Sequence, residues 1–430
     1  MRHILIMRKK IVNPESRAPS ILILYHFFYP DDVVSARLFT QFARELVDRE
    51  WEVFVLTSNR LCRYPDKKVA GKNQWWKGIF ITRVNRPAWS QANYNLRFFN
   101  SIWIMVGWVR AVFRLPVVDA IVIGTDPYFS ALLFPVFRFF KRGKILVHWC
   151  YDLYPEVIIA KGAKGIIKWF AKKMFLLMGY AYRSVDIMVD IGRCMRKRLD
   201  LYGHRARRCT LAPWALVEPE QIKAPDTDTR LKLFGEAELA LLYSGNMGVA
   251  NDFALLLKLA RRLNKKNPRI ILCFACRGNR EHELVNAVKD DDTNIRFAPF
   301  AEEADLEKRL CSADIHLLSL GDEWEGIVVP SKFFGSMAVG RPVIYAGPRG
   351  SAIAGWIKEF DMGLILTENN IEETVEEILE LAKNRDKLNL WQRNAYQAYQ
   401  NYFSKQIVMN QWDGLLREEI YRRSNLIRTA

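Results

Sequence analysis

The chain has 430 residues, 64 Lys plus Arg against 47 Asp plus Glu, and a formal charge of +17. Half of its residues are hydrophobic and 13% are aromatic, which excludes a disordered tail and supports about two domains with cores of their own. The charge is uneven, with 36 basic and 17 acidic side chains in residues 1–222 against 28 and 30 in residues 223–430. The basic excess therefore belongs to one surface.

In chain order, residues up to about 18 read as a basic, solvated extension without the apolar stretch of a secretory signal. Ile21-Leu22-Ile23-Leu24 is a short apolar run of the kind that forms a buried parallel strand. Tyr29–Ser35 is a loop, and Leu38, Phe39, Phe42, Leu46 and Val47 then recur at helical spacing. Val53–Leu56 closes a β-α-β unit. Further strands are expected at Ala120–Ile123, Lys144–His148 and Asp186–Val189.

A second unit opens with a strand at Leu239–Tyr243 and the glycine turn Gly245-Asn246-Met247-Gly248. Phe253, Leu256, Leu257, Ala260 and Leu263 mark its helix, and Ile270–Phe274 its returning strand. Strands at Ile315–Ser319 and Pro342–Tyr345 follow, and aromatics from Trp391 to Tyr421 stud a helical terminus. The pattern is α/β with two doubly wound parallel-sheet domains, joined in the polar stretch Val217–Arg230.

The seven cysteines form no paired framework, and Cys273 and Cys276 read as thiols of a buried strand in a reducing cytoplasm. No apolar run reaches the roughly 18–20 residues of a spanning helix. Lysines 161, 164, 168, 172 and 173 interleave with Ile166, Ile167, Trp169, Phe170, Phe175 and Leu176, the pattern of an interfacial amphipathic helix. Solvated faces over core helices are the other reading of this basic half, and no nucleic-acid module is present.

No P-loop, zinc-protease, nucleophile-elbow or dinucleotide fingerprint occurs, which disfavours those chemistries. What remains is turns at the carboxyl ends of parallel strands. In the Gly245–Gly248 turn, glycine admits close backbone approach, the next helix offers its N–H groups to an anion, and Asn246 adds a donor. A tight turn without a ligand fits the same residues. Glu325–Pro342 places a carboxylate before Pro330-Ser331-Lys332 and the small-residue helix of Gly335, Ser336 and Ala338. Ser331 reads as the helix N-cap, Lys332 as a cation for an anionic ligand and Glu325 as an acceptor of sugar hydroxyls. A capped helix with solvated Glu and Lys is the bland alternative.

Tyr29-Pro30, Thr125-Asp126-Pro127, Asp152-Leu153-Tyr154-Pro155-Glu156, Tyr243–Gly248, Asp252-Phe253 and the Glu325–Pro342 block stand in an order that resembles the retaining glycosyltransferases of family 4. The likeness is to the bacterial subgroup that builds lipid-linked surface polysaccharides, in its Pro-Ser-Lys form. The resemblance implies the GT-B fold, two facing Rossmann-like domains with a C-terminal helix returning to the first. It divides the chain into the extension 1–18, an acceptor domain 19–222, a nucleotide-sugar donor domain 223–404 and a helix 405–430. By the same resemblance Glu325 touches the donor sugar, Ser331 and Lys332 lie near the nucleotide diphosphate, and Gly245, Asn246 and Gly248 lie beneath it. No metal or other cofactor is implied. Three positions depart from the family pattern. Gly335 stands for the second glutamate with two extra residues of spacing, Val249-Ala250-Asn251 replaces a basic pair, and Val33-Val34-Ser35 replaces a glycine pair.

On the acceptor side the candidates are Asp126, Asp152, Glu156 and Ser35, with Asp152 or His148 orienting or deprotonating the acceptor hydroxyl unless the donor phosphate is itself the base. The expected protein is thus a retaining hexosyltransferase-type enzyme acting on a polyprenyl-linked acceptor, peripheral on the cytoplasmic face of a membrane whose anionic surface its basic half meets. A GT-B epimerase or hydrolase, and a non-catalytic binding protein, remain as alternatives.

Overall fold

Runs of Val, Ile and Leu with no polar alternation cannot leave a face in water, so they become strands covered on both sides. The computed structural model describes residues 17–428, apart from Ala92 and Glu302; the extension expected over 1–18 falls almost wholly outside the described residues. Fourteen strands are present among them: β1 Ser20–Leu24, β2 Glu52–Ser58, β3 Asn73–Trp76, β4 Ile79–Val84, β5 Val118–Gly124, β6 Gly143–Trp149, β7 Ile187–Asp190, β8 Arg207–Thr210, β9 Leu239–Asn246, β10 Ile270–Arg277, β11 Ile295–Phe297, β12 Ile315–Ser319, β13 Val343–Ala346 and β14 Gly363–Leu366. They form an eight-stranded sheet, β3-β4-β2-β1-β5-β6-β7-β8, and a six-stranded sheet, β11-β10-β9-β12-β13-β14.

β1 pairs in parallel with β2, Leu22 opposite Phe54, and with β5, Leu22 opposite Ile121. β3 and β4 are the antiparallel exception. They are joined at Lys77 and Gly78, both in the left-handed region (φ 46° and 79°), as a two-residue hairpin turn requires. This hairpin escaped the sequence reading because Asn73-Gln74-Trp75-Trp76 carries no apolar run. β8, β11 and β14 escaped it as well, being only three or four residues long. At β14, Gly363 lies so close to β13 that a Cβ there would sit 2.0 Å from the Val343 carbonyl oxygen.

Contacts divide the chain into two units: residues up to His148 with Ser184–Asp186 and those from Asp413 onward, and Trp149–Arg183 with Ile187–Trp412. The sequence reading divides the chain at 222 instead. Residues 149–222, apart from Ser184–Asp186, go with the second unit, where Trp149 packs on Trp214 and Trp412, at ring separations of 6.3 and 4.9 Å, and Tyr399 accepts a hydrogen bond from the Ala215 amide (2.8 Å). The last helix spans Lys405–Arg428. Within the first unit its residues bind back, with Trp51 Nε1 donating to Asp413 (2.6 Å) and Arg423 to the Lys144 carbonyl (3.1 Å).

The core of the six-stranded sheet holds Leu241, Tyr243, Leu256, Leu263, Leu272 and Ile344, so the helix expected after the glycine turn presents its predicted face. Arg341, from the Gly-Arg-Pro element, is 2% exposed. Its guanidinium donates to the carbonyls of Ala313 (2.7 Å), Cys311 (2.7 Å), Lys223 (2.9 Å) and Val339 (3.0 Å), tying the chain before the sheet to the ends of two helices. Arg341→Met is expected to cost about 3 kcal/mol, since it strands these carbonyls without removing the packed stem. A lowered urea midpoint for the variant checks this, and an unchanged midpoint would refute it.

Candidate functional site

The donor-side candidates lie in the second unit, at the carboxyl ends of β9, β12 and β13, the edge where open α/β sheets take ligands. Lys332 begins the helix Lys332–Ala338. Its ammonium lies 3.8 Å from the centre of the Tyr243 ring, donates to the Tyr243 hydroxyl and donates to the Asn246 carbonyl at 2.8 Å. Loss of hydration lowers its pKa from 10.5 to about 7, and no carboxylate is among the groups shifting it. The lysine is thus held half-desolvated, with two neutral oxygens where an anion would satisfy it better.

Gly245 is explained by the same lysine. With φ 129° and room for a Cβ only 2.8 Å from Lys332 Cε, it lets the lysine stem cross β9. The expectation that this turn feeds directly into a helix is corrected, because the helix starts at Ala254. The Met247 and Gly248 amides are also committed, to the Arg277 carbonyl (2.7 Å) and to Asn251 Oδ1 (3.0 Å). Asn251, standing where the sequence departs from the family pattern, also donates to the Ser319 carbonyl (2.8 Å) and so joins the β9 loop to β12. Gly248 therefore shapes the turn, while Asn246 remains exposed at its rim.

Ser331 occupies the N-cap position but makes no side-chain cap bond, and its backbone is helical (φ −64°, ψ −20°); its expected capping role is corrected. Packing at Gly335 is loose, since a Cβ there would meet only Leu310, at 3.7 Å. Ser336 is constrained, its hydroxyl joining buried His316 (2.7 Å) to the Lys332 carbonyl (3.1 Å). Burial lowers the His316 pKa to about 4, so this link is a neutral one.

Glu325 follows the short helical turn Asp322–Trp324. Its carbonyl accepts from Arg198 Nε, and Gly326 (φ 71°) presses against the Cys194 carbonyl, where a Cβ would stand at 2.6 Å. The Glu325 carboxylate lies over Gly350, where a Cβ would come within 2.4 Å of Oε1. Gly350 precedes Ser351, which does cap its helix, accepting from Ala354 N at 3.2 Å. Sequence reasoning missed Gly350, Arg198 and Tyr243 in these roles. The Gly347–Ser351 turn after a strand was the available signal for the first.

Asp152 meets this loop directly: it forms an antiparallel bridge with Val328, and Leu153 N donates to the Ile327 carbonyl at 3.1 Å. Glu156, expected on the acceptor side, is 8% exposed and accepts from the Tyr202 hydroxyl at 2.7 Å, with its pKa raised by burial. That geometry fastens two helical segments together.

The remaining candidates belong to the first unit. His148 is 1% exposed, with Nδ1 2.9 Å from the Ile123 carbonyl. Asp126 is paired to His26 Nδ1 (3.0 Å) and Arg97 (3.3 Å). Burial alone would raise its pKa, but His26 and Arg97 outweigh that and hold it low, so it is an ionised structural anchor. Ser35 is half-buried in the first turn of the helix Val34–Asp48. Among the described residues no group of three or more His, Cys, Asp or Glu is arranged to hold a metal ion.

Residues 227–398, which carry the Lys332, Gly245 and Glu325 arrangement, match the family model described as Glycosyl transferases group 1. The two-sheet fold is GT-B, the fold of the glycosyltransferase structures it resembles, and residues 227–398 are similar to that glycosyltransferase family. The chain is 25% identical over 276 residues to the probable glycosyltransferase WbjE of Pseudomonas aeruginosa, an alignment covering 61% of this chain and 66% of that relative, just under two thirds of its length. Among solved structures it is similar to a sucrose-phosphate synthase (tll1590) from Thermosynechococcus elongatus, with TM-score 0.70, 14% identity and coverage of 94% of this chain and 99% of that one. It is also similar to Anabaena Alr3699/HepE in complex with UDP, with TM-score 0.66, 12% identity and coverage of 93% and 100%.

Proposed function

We propose that the protein is a retaining glycosyltransferase that moves a sugar from a nucleotide-sugar donor to a polyprenyl-linked acceptor in polysaccharide or glycolipid synthesis. The observation that carries the donor half of this reading is Lys332, a partly desolvated cation whose hydrogen-bond partners among the described residues are the Tyr243 hydroxyl and the Asn246 carbonyl. A nucleotide diphosphate gives it the charge partner it lacks. UDP in the HepE structure supports the same ligand class. In the reaction the bond from the anomeric carbon to the diphosphate oxygen breaks, and Lys332 balances the charge that gathers on the leaving group. Glu325 accepts hydrogen bonds from donor-sugar hydroxyls, and Ser331 and Asn246 offer further polar contacts. The acceptor oxygen bonds the same face of the sugar, and its proton passes to the departing phosphate or to Asp152. Retention rests on the family resemblance. Neither a metal nor another cofactor enters this scheme.

The lipid half is supported by the helix Gly165–Tyr182. It buries Ala171, Met174 and Met178 and turns Ile166 (79% exposed), Trp169, Leu176 and Tyr180 outward beside Lys164, Lys168, Lys172 and Lys173. An apolar face ringed by lysines suits an anionic membrane surface, each lysine there contributing roughly 1 kcal/mol. No helix among the described residues is long and apolar enough to cross a membrane. The proposed location is the inner face of the cytoplasmic membrane, held peripherally. The test titrates the full chain with UDP-, GDP-, ADP- and dTDP-sugars and assays transfer on vesicles with and without anionic lipid. Saturable binding of one donor, with faster transfer on anionic vesicles, is expected. Silence across all donors would refute the enzyme reading, and free sugar or an epimer as product would replace transfer by hydrolysis or epimerisation.

A further inference from the structure

Between the helix Tyr94–Val112 and the β3–β4 hairpin, wholly within the first unit, lies an open groove of about 1330 Å³. That exceeds the roughly 300–1,000 Å³ typical of small-molecule sites. Phe80 and Val84 line it from one face of β4, and Phe99, Ile102, Trp103 and Val106 line it from one stripe of the helix. The helix touches β4 at Gly107, where a Cβ would lie 3.3 Å from Val84 Cβ, which closes the floor. Phe99 and Trp103 are more than half exposed, a large apolar surface for water to cover.

The groove is also one-signed. The same helical stripe continues into Arg110, Arg114 follows just past the helix end, Lys72 shares the lining, and no Asp or Glu among the described residues lines the groove. None of these three cations has an ion pair among the described residues. An apolar trough with a cationic rim matches a long hydrocarbon chain bearing a phosphate head.

We infer that this groove binds the hydrocarbon chain of a lipid phosphate, with Arg110, Arg114 and Lys72 meeting the head group. Resting on the proposed lipid-linked acceptor, it assigns the chain of that acceptor to a protein groove rather than to the bilayer. Each isoprene unit that enters buries apolar surface, so binding is expected to tighten about tenfold per unit until the groove is full.

The test uses the full chain with geranyl, farnesyl and geranylgeranyl phosphates in the absence of vesicles, and a benzophenone-bearing farnesyl phosphate for crosslinking. Saturable, length-dependent binding is expected, with labelled peptides within Phe99–Arg114. The paired substitutions Ile102→Glu and Val106→Glu, both at exposed positions, should weaken binding at least about tenfold at an unchanged melting temperature. Arg110→Glu with Arg114→Glu should erase the preference for farnesyl phosphate over farnesol. Labelling confined to Gly165–Tyr182, or binding to vesicles with no binding of monomeric lipid phosphate, would overturn the inference in favour of simple bilayer docking. A concentration-dependent dimer lost on Ile102→Glu, without lipid binding, would overturn it in favour of a second copy. Lipid binding in the groove without sugar transfer would leave the inference standing and defeat the proposed function; transfer to long-chain acceptors with the groove unlabelled would do the reverse.

Discussion

Lys332→Met is expected to lower kcat for sugar transfer about a thousandfold while making the protein more stable. Loss of one preorganised charge from a leaving group costs roughly 10²–10³ in rate, and the proposed scheme gives that role to this lysine. The stability gain follows from its pKa, about 7 in the fold against 10.5 in water. Below about pH 7 the ammonium is charged in both folded and unfolded chains, and the fold carries the full cost of desolvating it. Between the two pKa values the unfolded chain binds the extra proton, so stability rises with pH and the cost fades. The variant should therefore gain roughly 2 kcal/mol near pH 6, an amount reduced because the ammonium is partly exposed, and progressively less near pH 9. Urea midpoints at the two pH values measure this; a variant no more stable at pH 6 than at pH 9 would show that Lys332 is not desolvated.

The same pKa predicts proton uptake on nucleotide binding. A diphosphate beside Lys332 favours its charged form, so above about pH 7 binding draws a proton from solution, approaching one per site, and affinity falls as pH rises. Near pH 6 the lysine is already charged and uptake vanishes. Calorimetry in buffers of different ionisation enthalpy reads the uptake directly, and Lys332→Met should abolish it.

Glu325→Ala is expected to cut kcat/KM for the donor by about a hundredfold or more, because it deletes the proposed acceptor for sugar hydroxyls. Gly350→Ala should reproduce most of that loss from a neighbouring loop. Its Cβ would stand 2.4 Å from Glu325 Oε1, and Gly350 is not in the left-handed region, so the carboxylate must yield rather than the backbone. The stability cost should stay below about 1 kcal/mol. Full activity in Gly350→Ala beside a dead Glu325→Ala would mean that the carboxylate works from another position.

Much of this was legible in sequence, and the reason is periodicity. Apolar runs such as Leu239–Tyr243 and Ile270–Phe274 allow little but buried parallel strands, and the helical spacing of Phe253 to Leu263 allows little but the helix between them. Glycines and prolines after those strands marked the loops that carry the site. β3, β11 and β14 were illegible because short edge strands owe their existence to the neighbour they pair with.

Residue type and order by themselves determined the α/β class, the choice of Glu325, Lys332 and the Gly245–Gly248 turn as candidates, and the basic excess of residues 1–222. Which of these groups touch was decided only in the tertiary structure. Gly245 makes room for the lysine stem, Gly248 spends its amide on Asn251, and Glu156, Asp126 and His148 each give at least one polar atom to a partner within the fold. Sequence spacing fixes which face of an element a residue occupies, through the short-range geometry of strand and helix. Desolvation and hydrogen-bond partnership depend on what lies across space, and that depends on loops brought together from positions more than a hundred residues apart, as Arg198 and Glu325 are.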